Sequence, residues 1–132
     1  MPKLRHVSLH SADPDTTAEF YKRVFDMVEV GRADDEFAEG IFLSDGTINL
    51  SVVRFKTEQA ADRGDGPASV FGLHHFGFFV EDEDETRRKL KDAGAKYLFT
   101  VDQPDVFEEK YRGPDSVMID ISGRGWIGAK SS

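Results

Sequence analysis

Cysteine is absent from this chain, which excludes disulfides, thiolate-bound metals, iron–sulfur clusters and cysteine nucleophiles together. A reducing cytoplasm fits that composition. No stretch approaches the roughly 18 consecutive apolar residues of a membrane span, and Met1-Pro2-Lys3-Leu4-Arg5-His6 carries no apolar signal segment. Positive charge is in deficit as well: 17 Lys and Arg stand against 25 Asp and Glu, a net charge of −8. That sign opposes phosphate backbones and anionic lipid, so neither a nucleic acid nor a membrane is expected as a partner.

What is present suits a folded domain. The 132 residues are 39% apolar and 32% charged, with 11 Phe, enough for one domain with a core. Leu4 to Ser11 alternates as a half-buried strand does, with Val7 and Leu9 on one face and His6, Ser8 and His10 on the other. Asp13-Pro14 then opens a helix, Asp13 as N-cap and Pro14 at the first turn, and Phe20, Tyr21, Val24 and Phe25 form its apolar stripe. Strands are expected at Val28–Val30, Glu39–Leu43 and Ile48–Phe55, the last two joined by a turn at Asp45-Gly46.

Lys56 to Ser69 is rich in Gly and small or charged residues and reads as a linker. The same grammar then repeats. A strand from Leu73 to Val80 is followed by a charged helix over Glu83–Ala93 ended by Gly94, and by strands near Lys96–Val101, Glu108–Arg112 and Ser116–Ser122. An offset of 69 carries His6 onto His75 and Asp13 onto Asp82, so duplication explains the order of elements. The expected fold class is α+β, one domain over 1–132 made of two βαβββ modules, about 1–56 and 71–132, with a linker at about 57–70.

The His-bearing first strand followed by Asp and by Phe20-Tyr21, the recurrence of His75, and the closing Pro114-Asp115-Ser116-Val117-Met118-Ile119-Asp120 together resemble the vicinal oxygen chelate superfamily, which includes glyoxalase I, bleomycin-resistance proteins, methylmalonyl-CoA epimerase and extradiol dioxygenases. The resemblance implies curved sheets around a central cavity, with metal positions falling on His6, Asn49 or its neighbour Ser51, His75 and Asp120. It also implies a divalent metal ion, with Fe, Mn, Zn, Ni and Co all open, a small-molecule substrate, and a homodimer whose modules pair either within one chain or across two.

Strand alternation supports three of these positions, because His6, His75 and Asp120 each lie opposite apolar neighbours. Asn49 offers only a neutral amide, as the resembled epimerases do, where glyoxalase I has a carboxylate. No second carboxylate is evident as a base. His10 is four residues from His6, about 13 Å along a strand, so it is expected at the cavity's edge as a substrate contact, acid or base. Alternation also turns His74 away from His75 into a structural role, and makes Tyr111 the other candidate proton carrier. The glycine-flanked Trp126 reads either as a terminal apolar plug or as a cover folded over the cavity.

Three functions stay open on the sequence. One is a metal-dependent lyase, isomerase or epimerase that chelates vicinal oxygens. A second is an Fe(II)-dependent extradiol-type dioxygenase, disfavoured because no His lies between Thr100 and Asp120. The third is a non-catalytic binder of the bleomycin-resistance kind. For a metal site, protons compete with the ion for imidazole lone pairs, and ordinary histidines place that competition at about pH 6 to 5.

Overall fold

A computed structural model describes residues 1–58, 61 and 70–132. Most of the expected linker therefore lies outside the described residues. The first half comprises β1 (Lys3–His10), α1 (Pro14–Phe25), β2 (Val28–Asp34), β3 (Ala38–Ser44) and β4 (Asn49–Phe55). The second comprises β5 (Gly72–Phe79), α2 (Glu83–Asp92), β6 (Lys96–Gln103), β7 (Val106–Arg112) and β8 (Met118–Ser122). Among the described residues no helix is long and apolar enough to cross a membrane.

Both helices start as the sequence dictates. The Asp13 carboxylate accepts from the Thr16 amide at 3.3 Å, and Asp82, 69 residues on, accepts from the Glu85 amide at 3.0 Å. Each cap satisfies an amide that has no partner within its own helix.

All eight strands join one sheet in the order β2-β3-β4-β1-β5-β8-β7-β6, which curls into a half-barrel. In each half the first strand runs parallel to the last, β1 with β4 and β5 with β8, and β1 meets β5 antiparallel at the centre. The two halves of the chain thus meet side by side at the centre of the sheet.

Apolar packing lies between the sheet and the helices. Ala18 of α1 packs with Ile41, Leu43 and Val52, while Val80, Tyr111 and Ile121 pack with Leu90 of α2. Fully burying each such aliphatic side chain is worth about 2 kcal/mol. The opposite, concave face is different: His6, Ser8, His10, Asn49, Ser51, His75, Lys110 and Asp120 are all buried there. So much buried polarity is stable only when its groups satisfy one another, and that makes this face the place to look for function.

Candidate metal centre

One row of register partners crosses the sheet and builds the site. It runs Asn49, His6, Gly77, Asp120, Lys110 and Phe99, from β4 through β1, β5, β8 and β7 to β6. Gly77 stands at the middle of that row because there is no room for a side chain. A Cβ there would lie 2.8 Å from the Trp126 ring and 3.1 Å from the Asp120 Cβ. Trp126 stacks on His6 with ring centroids 4.8 Å apart and planes within 6°, so the glycine-flanked tail folds back over the site.

The curl of the sheet closes the row into a cluster. His6 Nε2 lies 3.2 Å from His75 Nε2, and Asp120 Oδ2 lies 3.2 Å from His75 Nε2 and 3.9 Å from His6 Nε2. Glu108 completes the group, with one donor atom from each of the four residues within 4.8 Å of all the others. Both halves of the chain contribute, and a partner subunit is not needed to assemble these four groups.

The tautomers of both imidazoles follow from their outer partners. Asn49 Nδ2 donates to the Ile127 carbonyl at 2.9 Å, which turns Asn49 Oδ1 toward His6; the Nδ1–H of His6 donates to it at 2.7 Å, and Ser51 Oγ donates to it at 2.8 Å. His6 Nε2 therefore presents a lone pair. On the other side, His74 Nε2 donates to the Ala61 carbonyl at 3.2 Å, so His74 Nδ1 accepts the Nδ1–H of His75 at 2.7 Å. His75 Nε2 then presents a lone pair as well. Two imidazole lone pairs facing at 3.2 Å, with carboxylates beside them, form a donor set suited to a divalent cation.

Burial drives the His6 imidazole down to about pKa 4, against smaller raising effects of Glu108 and Asp120, so it is neutral and fit to ligate near neutral pH. Burial likewise pushes the Glu108 carboxyl up, reinforced by Asp120 beside it. Asp120 is desolvated too, yet the Lys110 ammonium and the hydrogen bond from Glu108 outweigh burial and hold its carboxyl below the ordinary range.

Several expectations change. Asn49 meets His6 from behind and orients it, rather than turning its oxygen into the cluster. Tyr111 does not reach the concave face: it packs on the helix side of β7 with Val80 and Ile121, while Glu108 and Lys110 take the concave face. The cluster does hold a second carboxylate, Glu108. Alternation along β7 could have found it, given that Lys110 pairs with Asp120. His74 is not turned away from His75. Ser8 pairs with His75 but Leu9 with Leu73, so His74 is the extra residue of a β-bulge and both histidines reach the concave side. His10 lies outside the cluster, its ring 6.2 Å from that of His74 and its Nδ1 3.2 Å from the Val70 carbonyl.

The profile of the glyoxalase/bleomycin resistance protein/dioxygenase superfamily matches residues 3–121. The chain belongs to that superfamily. Among solved glyoxalase-fold structures, it is similar to a methylmalonyl-CoA epimerase in complex with methylmalonyl-CoA and NH4+, at 16% identity and a TM-score of 0.75 over 98% of this chain and 99% of the other. A Streptomyces coelicolor methylmalonyl-CoA epimerase variant in complex with 2-nitronate-propionyl-CoA gives 16% identity and 0.74, covering 94% of this chain and 96% of that one. The Mycobacterium tuberculosis methylmalonyl-CoA epimerase gives 19% and 0.71, covering 89% and 85%. No protein of curated function matches significantly by sequence. Identities this low establish the glyoxalase fold and leave the substrate to chemistry.

Proposed function

We propose that this glyoxalase-fold protein is a divalent-metal-dependent isomerase or lyase of the epimerase kind, which moves a proton at a carbon next to a carbonyl in a small substrate offering two neighbouring oxygens. The observation that carries the reading is the convergence of the His6 and His75 Nε2 lone pairs on Asp120 and Glu108. His6, His75 and Asp120 would hold the ion. When bound, such an ion supplies a Lewis acid that stabilises negative charge on a substrate oxygen.

The chain's own groups do the rest. Asn49 and His74 fix the two imidazoles, and Trp126 walls the site beside His6. Glu108, the fourth group of the cluster, is the carboxyl placed to take a proton from carbon and return it. His10, buried on the concave face outside the cluster, stays a candidate substrate contact. A homodimer, as the resemblance implies, would add nothing to these four groups.

The test is proton exchange. Protein loaded with Co²⁺, Mn²⁺, Ni²⁺ or Zn²⁺ is incubated in D₂O with 2-substituted acyl thioesters, methylmalonyl-CoA among them, and with 2-hydroxy ketones. Deuterium entering at the acidic carbon, lost in His75→Ala and in Glu108→Gln, is the expected result. Metal-loaded protein that exchanges none of these substrates overturns the reading.

A second reading rests on the two-histidine, one-carboxylate set His6, His75 and Asp120, which also suits Fe(II) and dioxygen. Dioxygen uptake with Fe(II) and catechols would favour it over proton transfer.

A further inference from the structure

The cluster contains a group that a metal site does not ordinarily hold. Lys110 Nζ lies 3.0 Å from Asp120 Oδ1, 2.9 Å from Asp120 Oδ2 and 3.2 Å from Glu108 Oε2. Its side chain is only 10% exposed and that of Asp120 is 0% exposed, so little water shares this contact. The Phe99 ring lies 5.9 Å from the ammonium on the β6 side. Lys110 is also committed to this direction by its backbone, which pairs with Asp120 of β8 on one side and Phe99 of β6 on the other.

We propose that the Lys110 ammonium is a resident cation of this site, paired with Asp120 and Glu108 and competing with a divalent ion for the same oxygens. The inference rests on the metal-dependent reading above and adds to it that binding is weak and exchangeable. The reason is electrostatic. The ammonium offsets negative charge that the two carboxyl groups would otherwise offer the ion, and repels it from hydrogen-bond range of its own ligands. Both Asp120 oxygens are engaged by Lys110, so the ion must displace or share a charge-assisted contact made in a buried place. An internal cation also lets the site fold without metal, since unpaired buried carboxylates are costly.

Calorimetric titration of wild type, Lys110→Met and Lys110→Arg with Ni²⁺ and Mn²⁺ tests this, with His75→Ala added to each background as the control for the site. We expect Lys110→Met to bind one ion at least about tenfold more tightly than wild type, and Lys110→Arg to bind as weakly as wild type. Binding in Lys110→Met should vanish with His75→Ala. Equal or weaker binding by a folded Lys110→Met overturns the competition and leaves the metal reading standing. No binding by any of the three overturns both. Should Lys110→Met fail to fold, wild-type protein labelled with ¹⁵N lysine answers the same question. The buried Lys110 ammonium resonance is expected to move in step with Zn²⁺ binding, and Zn²⁺ bound with that resonance unchanged overturns the proposal.

Discussion

The Nδ1 atoms of His74 and His75, consecutive residues of β5, lie 2.7 Å apart, a contact that regular strand alternation forbids and the bulge at His74 permits. Because His74 Nε2 is turned to the Ala61 carbonyl, the hydrogen between the rings belongs to His75. Replacing the outer partner should therefore loosen the inner one. His74→Phe is expected to weaken divalent metal binding by about 10–100-fold, as loss of such orienting partners does elsewhere, with the fold retained by circular dichroism. Unchanged affinity would refute the tautomer assignment.

Acid should unfold the metal-free protein through His6. Its pKa in the fold is about 4, below the 6.5 of an exposed imidazole, so between those values the unfolded chain binds more protons and stability falls as pH drops. Integrated over the whole window, the loss is roughly 3 kcal/mol. Urea unfolding at about pH 7 and pH 4.5 measures it, and His6→Gln should flatten this part of the profile. The same shift moves the acid limit of His6 ligation below the pH 6 to 5 expected for an ordinary histidine.

Gly77→Ala tests the closure by Trp126. The added methyl would meet the indole at 2.8 Å and the Asp120 Cβ at 3.1 Å, and the indole cannot retreat without disturbing its stack on His6. A cost of about 1–3 kcal/mol is expected, typical of overpacking. Trp126 is the only tryptophan, so its fluorescence should shift in the folded variant and report the displaced ring directly.

Asp120→Asn should be costlier. It leaves the buried Lys110 ammonium with Glu108 as its remaining carboxylate partner, and breaking a buried pair in this way costs about 3–5 kcal/mol. Divalent metal binding should be lost in the same variant. A stable Asp120→Asn protein that binds metal like wild type would show that this carboxylate is not part of the site.

The sequence by itself determined the two helices with their Asp13 and Asp82 caps, the alternating strands and the pairing of His6 with His75 at a spacing of 69, because caps and periodicity are local properties of the chain. His6, His75 and Asp120 were legible for the same reason, since a strand commits each side chain to a face. Glu108 and Lys110 were masked by Tyr111, whose phenol looked the better proton carrier until the register of β7 on β8 put the alternate residues beside Asp120. The bulge at His74 has no local signal that alternation could read; it arises from how β5 meets β1, a strand far away in sequence. Only the tertiary structure could decide which residues of a strand face the same space as residues of another, because a shift of one residue in register or one bulge exchanges the two faces while leaving the local sequence pattern untouched.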